Sequence, residues 1–543
     1  MKDKAPPGLL RSAGVVSAAI AVSRVTGLLR ESVLSWLFGA SAVFDAYVLG
    51  YRVPNLARDL FAEGALSAAF VPTFTRYLTT KSKEEARELS DIMGTLIMVV
   101  VGTFCALGMI FSPAFVNLFA PGFHAVPGKF ELAVQLVRIV FPFLLLVALA
   151  AQAQGILNAS HQFGVPALSS SMFNIGSVLF GLTIGYWFGP ALGIRPVHGM
   201  AFGIVFGGVA QLAFQLPAVW RAGFGWRPRW NLRHEGVRAI SALMGPAVLS
   251  GISVQINTLV NTNFAAGLRD ASGHAMNGPV SWLSYAYRFQ QLPLGLFGLS
   301  IAAATLPRIA RSAARHDYDE FRDTLSHSIV MILLMTVPSS VGLAVLGESM
   351  IGIVYQHGRF TASDTHQTAL ALSCYAVGLA AYATVKLVSP AFYALGDART
   401  PMVVSMSSIA LNAATSYTMV KVLHLGHAGM ALSLSLVSTV NVLALLTLLS
   451  PRVGGVRARE MATSLAKIIL AAAPMGAVCL FVVHVTRSRA VHLLAGIPAG
   501  ALAFYASASV LRIPELAETR DVVLAKLFSK PGGKPGGKVP GKS

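Results

Sequence analysis

Between residues 23 and 64 the chain reads SRVTGLLRESVLSWLFGASAVFDAYVLGYRVPNLARDLFAEG, an apolar background carrying Arg24, Arg30, Glu31, Asp45, Arg52, Arg58, Asp59 and Glu63. Arg24 lies mid-way along a run long enough to cross a bilayer, too far from either end to snorkel. An isolated arginine at that depth costs about 2.5–3.5 kcal/mol on insertion scales, so such residues face a protein interior or a wet cavity. Arg30 follows about 9 Å along a helix and about 120° round it, which makes a broad face. Gly27 between them leaves room for a ligand or a neighbouring helix. Asp45 and Arg52, seven residues apart, share a face of the next run. Arginine's planar fork matches phosphate oxygens, and two or more arginines suit a diphosphate. The competing arrangement is internal pairing: Arg24 with Glu31, Asp45 with Arg52, and Asp59 with Arg58 and Glu63.

Other polar positions are weaker. Gln255, Asn257, Asn261 and Asn263 fall in one apolar run, Lys386 in another, and Asn412 and Thr415 in a third. They could ligate a coupling cation or line a pathway, with interhelical hydrogen bonding the favoured alternative. The sequence offers no phosphate-binding glycine loop, metal-ligand motif or nucleophile arrangement. Its three cysteines are scattered through apolar segments and read as core residues.

The elements that position these residues follow from composition. Of 543 residues 55% are hydrophobic and only 12% charged, with mean hydropathy +0.64, against about a quarter charged in a soluble domain. Apolar runs of about 20 residues recur along the chain, the pattern of an all-α polytopic membrane protein. Candidate spans are 11–37, 43–78, 89–113, 130–157, 165–189, 197–220, 237–267, 279–307, 322–346, 366–394, 400–422, 427–450, 460–485 and 491–512, about fourteen in number. The start reads as a retained first helix rather than a cleavable signal. The net charge of +19 is explained by basic cytoplasmic loops and not by nucleic acid. Loops on one side carry most of the Lys and Arg, which predicts both termini in the cytoplasm. The tail SKPGGKPGGKVPGKS is low-complexity and expected to be disordered.

Three local resemblances share one offset. YRVPNLARDLF aligns with YRFQQLPLGLF (287 − 51 = 236), Pro72 with Pro307 (307 − 72 = 235), and LNASHQFGVP with FYALGDARTP (401 − 166 = 235). Arg288 is thereby the repeat mate of Arg52. The predicted organisation is a six-helix lobe over 1–230, a second over 231–450, two further helices over 451–515 and a Lys/Gly/Pro-rich cytoplasmic tail over 516–543. Two like-oriented bundles around a midplane cavity are transporter architecture.

The series SRVTGLLRE, FDAYVLGYRVPNLARDLFAEGALSAAFVP, GPAVLSGISVQINTLVNT and SWLSYAYRFQQLPLGLFGLSIAAATLP resembles the MurJ (MviN) family of lipid II flippases, in the MOP exporter superfamily. The resemblance covers roughly the first twelve spans. It implies two pseudo-symmetric six-helix lobes of MATE-like fold, with two C-terminal helices helping to form a lipid groove. It implies a transporter, not an enzyme, working by alternating access in the cytoplasmic (inner) membrane. Arg24, Arg30, Arg58 and Arg288 match family positions held to bind the lipid-linked diphosphate, while Asp45, Arg52 and Glu63 are assigned to the cavity or its gating. Here SYAYR replaces the family's usual YYADR, so Arg288 lacks an acidic neighbour. Some members bind sodium through a carboxylate where this chain has Asn257 and Asn412, so sodium coupling is not supported. No metal or other cofactor is expected, and coupling to membrane potential or another ion gradient stays open. The implied partners are lipid II, the bilayer and proteins of cell-wall synthesis or division. Rival readings are a flippase for another polyprenyl-diphosphate glycan, a MATE-like drug or cation antiporter, and a membrane scaffold. The arginine-rich charge disfavours the antiporter, and the repeat disfavours the scaffold.

Overall fold

In hydrocarbon every backbone N–H and C=O must find a partner within the chain, and the helix does this segment by segment. The computed structural model of the chain describes residues 7–59, 66–270 and 272–516. Glu63 and the predicted cytoplasmic tail lie outside the described residues, except for the tail's first residue.

The helices fall into two successive series. The first comprises α1 (Pro7–Phe38), α2 (Ala42–Ala57), α3 (Ser67–Thr80), α4 (Lys83–Ile110), α5 (Ser112–Phe119), α6 (Lys129–Val140), α7 (Phe143–Ala159), α8 (Gly164–Leu182), α9 (Gly189–Leu192) and α10 (Pro196–Arg221). The second comprises α11 (Glu235–Ala266), α12 (Pro279–Pro293), α13 (Ser300–Ala314), α14 (Tyr318–Tyr355), α15 (Ala362–Val377), α16 (Leu379–Ala394), α17 (Arg399–Tyr417) and α18 (Gly426–Leu449). A last group, α19 (Ala458–Val485), α20 (Arg489–Leu494) and α21 (Gly496–Val510), closes the described chain.

The repeat read from sequence extends to the breaks within helices. α8 and α17 correspond at both ends (399 − 164 = 235, 417 − 182 = 235). Each passes into a π-helical turn, Thr183–Phe188 and Thr418–Val422 (418 − 183 = 235). A further π turn begins at Arg58, after Pro54, and its counterpart is Leu294–Leu299 after Pro293 (294 − 58 = 236). Even the stop after α7 recurs. Gln162 N donates to Leu157 O at 2.8 Å, and Asp397 N to Phe392 O at 3.0 Å. His161 and Gly396 take the left-handed conformation at equivalent places, the usual way to close a helix C-terminus.

Nine helical segments among the described residues are long and apolar enough to cross a membrane. α15 and α16, bent by 46° at their break, make a tenth when counted together. The count of fourteen is thus not reached by length and composition. The remaining candidates, α1, α2 with α3, α11 and α17, are helical but short or rich in charged and polar residues.

The helices pack into two compact units: residues 1–287, 351–371 and 405–434 form one, and residues 288–350, 372–404 and 435–543 the other. Within the first, α1 packs on α8, α2 on α6, and α10 on α7 and α8. Within the second, α16 packs on α13 and α19 on α21.

α1 ends at Gly39, whose φ of +59° favours glycine. A Cβ there would stand 2.4 Å from Arg359 O, because the 357–360 turn lies against the helix end and Arg359 N donates to Trp36 O at 3.0 Å. Gly193 has a similar φ of +66° but open space around it. Gly193→Ala should therefore cost only the left-handed backbone term, about 1–2 kcal/mol, and Gly39→Ala more. Thermal melts of the purified variants check this: the Tm of Gly39→Ala should fall below that of Gly193→Ala, and equal melts would refute the close approach.

Candidate functional site

α1, α2 and the turn after α2 carry Arg24, Arg30, Glu31, Asp45, Arg52, Arg58 and Asp59, all within the first compact unit. Arg24 is exposed on α1 and has no carboxylate partner among the described residues. Gly27 faces Asn174 of α8, whose amide donates to Ser23 O and Thr26 Oγ1 at 3.3 Å each. The room at Gly27 is thus taken by a helix contact. Arg30 is only 11% exposed. Its guanidinium lies 5.2 Å from the Phe173 ring centroid and 5.8 Å from that of Tyr51, within cation–π range. Its Nη2 is 3.8 Å from Glu31 Oε1, too far for a hydrogen bond, and its Nε is buried with no acceptor. A buried guanidinium N–H without an acceptor is costly, and an anion's oxygen would satisfy it.

Past Pro54, Arg58 enters the π turn and is held by Asp59, with Nη2–Oδ1 at 2.8 Å and Nε–Oδ1 at 3.2 Å. That pair agrees with the internal-pairing alternative. The other two proposed pairs do not form as expected. Glu31 stands by Arg30, not Arg24, and accepts the Tyr355 hydroxyl at 3.1 Å. Arg52 donates to Thr262 Oγ1 of α11 at 2.8 Å.

Asp45 is fully buried and meets Lys129 Nζ at 2.8 Å, itself 3% exposed. It also accepts Gly278 N at 2.9 Å, Ser281 N at 3.0 Å and the Ser281 hydroxyl. The carboxylate therefore sits on the first turn of α12, where free N–H groups favour an anion. Lys129 is further held by Asn277 Oδ1 at 3.1 Å and lies over the Phe123 ring. Aromatic rings close around this network: Phe44 stacks on Tyr285 at 5.0 Å, and Tyr285 lies 4.6 Å from Tyr355. The result is a buried network joining the C-terminal end of α1, the N-terminal ends of α2 and α12, and the end of α14. Through Tyr355 and Glu31 it reaches Arg30.

Asn257 and Asn412 belong to a neutral cluster between α11, α17 and α18. Asn412 is fully buried; its amide donates to Asn261 Oδ1 at 2.9 Å and its carbonyl accepts Ser433 Oγ at 3.3 Å. Asn257 Nδ2 reaches Ser408 Oγ at 3.5 Å, and its Oδ1 is buried without a donor. This donor set has no carboxylate, and Asn412 is already engaged by its neighbours. Among the described residues no three His, Cys, Asp or Glu side chains gather as metal ligands.

Arg288 is exposed on α12 and belongs to the second compact unit. In that unit, outside the apolar spans, hydrogen bonds from Thr400, together with Arg452 and the Arg399 amide, hold the Asp397 carboxyl down to about 2. The connection before α17 is thereby pinned. Lys129, Tyr355 and Phe173 were not singled out by the sequence. Lys129 reads there as one more loop charge, and nothing local links it to an aspartate 84 positions earlier.

Comparison with known proteins gives one family. The profile described as "Lipid II flippase MurJ" matches residues 34–497. A curated relative from Vibrio cholerae, "Probable lipid II flippase MurJ", is 34% identical over 449 residues, 80% of this chain and 81% of that one. A solved structure of "Lipid II flippase MurJ, inward closed conformation" superposes with a TM-score of 0.75 at 26% identity, covering 94% of this chain and 99% of that one. An inward-facing multidrug resistance MATE transporter of the MOP superfamily shares the fold, with a TM-score of 0.60 at 16% identity over 81% of this chain and 94% of that one. The protein is a multi-pass membrane transporter, and the chain belongs to the MurJ family.

Proposed function

We propose that the protein flips lipid II, carrying the undecaprenyl-diphosphate-linked disaccharide-pentapeptide from the inner to the outer leaflet of the bacterial cytoplasmic (inner) membrane. The observation that carries the reading is Arg30: a buried guanidinium cradled by two aromatic rings, with an Nε lacking any acceptor. A phosphate oxygen supplies that acceptor, and charge-assisted hydrogen bonds to phosphate are the strong kind. Arg24, Arg58 and Arg288 are assigned to the same diphosphate as it passes, and Arg52, Asp45 and Glu63 to the cavity and its gating.

With both termini assigned to the cytoplasm by the basic loops, we assign the network around Asp45 to an outward-facing seal. Alternating access then requires the seal to part while the cytoplasmic end closes. No bond is made or broken in the cargo. The two states must differ in affinity for the headgroup, and the membrane potential acting on buried charge is the assigned bias, since Asn257 and Asn412 offer no carboxylate to a coupling ion. The isoprenoid tail is assigned to a groove beside α19 and α21. The enzymes that assemble and consume lipid II are the proposed neighbours.

Complementation tests this. In bacteria depleted of their own flippase, the wild-type chain should restore growth, while Arg24→Ala, Arg58→Ala and Arg288→Ala, at matched membrane levels, should not. Failure of a well-expressed wild type would redirect the reading to another polyprenyl-diphosphate glycan.

A further inference from the structure

Lys386 is a cation that the mechanism so far leaves unused. It lies mid-way along α16, in the second compact unit, half-buried in an apolar span. Its ammonium stands 5.1 Å from the Tyr382 ring centroid, and among the described residues it has no carboxylate partner. An unpaired lysine at this depth faces a wet or functional surface. Its neighbours at helical spacing agree: Tyr382 and Ser389 are half-buried and Tyr393 is exposed, a polar stripe on one side of α16. The opposite side, Thr384, Val388 and Ala391, is buried, and Ala383 on the flank meets Gly298. The stripe is absent from the first series, where the equivalents of Tyr382 and Lys386 are Val147 and Ala151 (382 − 147 = 235, 386 − 151 = 235). One copy has therefore gained a charge that helix packing did not require of the other.

Its level relative to Arg288 can be read from packing in the same unit. Gln290 donates to Tyr375 O, and Gly298 stands against Ala383. The two segments thus run in parallel, which sets Lys386 level with residue 301. That is thirteen residues beyond Arg288, or about 20 Å along the axis. A diphosphate held by Arg288 cannot reach so far. Lysine is also the poorer match to a diphosphate, being a point charge without arginine's fork, but it suits a single carboxylate.

Resting on the flippase reading, we propose that Lys386 is a second anion-binding position on the transport path, taking a free carboxylate of the cargo's peptide while arginines hold its diphosphate. It is a specificity residue: it selects cargo with an acidic peptide and leaves capture of the lipid diphosphate unchanged.

The test measures binding of three probes to the purified full chain: lipid II, lipid II with its peptide carboxylates amidated, and undecaprenyl diphosphate. Wild type should prefer free over amidated lipid II by about tenfold, the scale of one charge-assisted hydrogen bond. Lys386→Met should lose that preference yet bind undecaprenyl diphosphate as wild type does, and Lys386→Arg should keep most of the preference. Thermal melts exclude misfolding. The proposal is overturned if wild type does not distinguish the two lipid II forms, or if Lys386→Met still does. Wild type that binds none of the three would remove the flippase reading itself and this proposal with it.

Discussion

Replacing Arg30 with alanine should abolish growth rescue and lower the affinity for undecaprenyl diphosphate by about 10- to 100-fold, while leaving the fold as stable as before or more so. The two halves of this expectation have one cause. Truncating a charged hydrogen-bonding partner of a ligand costs about 1.5–3 kcal/mol, which sets the affinity loss. In the unliganded protein the same guanidinium is a liability, since its Nε is buried without an acceptor and Glu31 stands 3.8 Å from Nη2. Removing a poorly compensated charge stabilises rather than destabilises. Arg30→Lys should rescue only weakly, because a point charge cannot reproduce the fork. Binding assays paired with thermal melts decide the matter. Retained binding together with a drop of several degrees in Tm would mean that Arg30 is merely structural.

The second large effect is expected at Asp45. Asp45→Ala removes the counter-ion of buried Lys129 and the acceptor for two amides at the start of α12, those of Gly278 and Ser281, and breaking a buried pair from one side costs about 3–5 kcal/mol. The seal should loosen even where the chain still folds. A cysteine placed at Tyr285, inside the ring cluster, should then react in intact cells with a membrane-impermeant maleimide, which it resists when Asp45 is present. Lys129→Met should act through the same pair, so Asp45→Asn combined with Lys129→Met should be milder than the sum of the single changes. Strictly additive effects would show that the two residues act separately.

Much of this architecture was legible from sequence, because a bilayer allows few solutions. Apolar runs mark helices, and copies of a duplicated segment keep their breaks in step. The offset of 235–236 found in short motifs reappears at the C-terminal ends of α8 and α17 and in the π turns that follow them, which no motif marked. One offset is different. α1 and α11 correspond at 228 at both ends (235 − 7 and 266 − 38), since the connection before α12 is nine residues longer than its counterpart (12 − 3 = 9). The sequence anchors all lay beyond that insertion. Among the charges, sequence picked Arg24, Arg30, Asp45 and Arg58 as the residues to explain but mispaired two of them. Charge patterning sees neighbours along one helix, whereas Asp45–Lys129 and Arg52–Thr262 join residues far apart in the chain. The spacing of Phe173 and Tyr51 around Arg30 is likewise a property of packing, with no local signature.

Asp45 and Ser281 occupy corresponding places in the two copies (281 − 45 = 236), and they touch. In a dimer of two identical chains, a residue on a two-fold axis meets its own copy. Aspartate would then face aspartate and repel it, or serine would face serine and leave Lys129 without an acid. Joining both copies in one polypeptide lifts that restriction, because each side can mutate alone. The acid-to-hydroxyl contact at the seal is thus an interaction that a dimer of identical chains cannot hold, and a chain cut between α10 and α11 and rebuilt from two first copies would lose it.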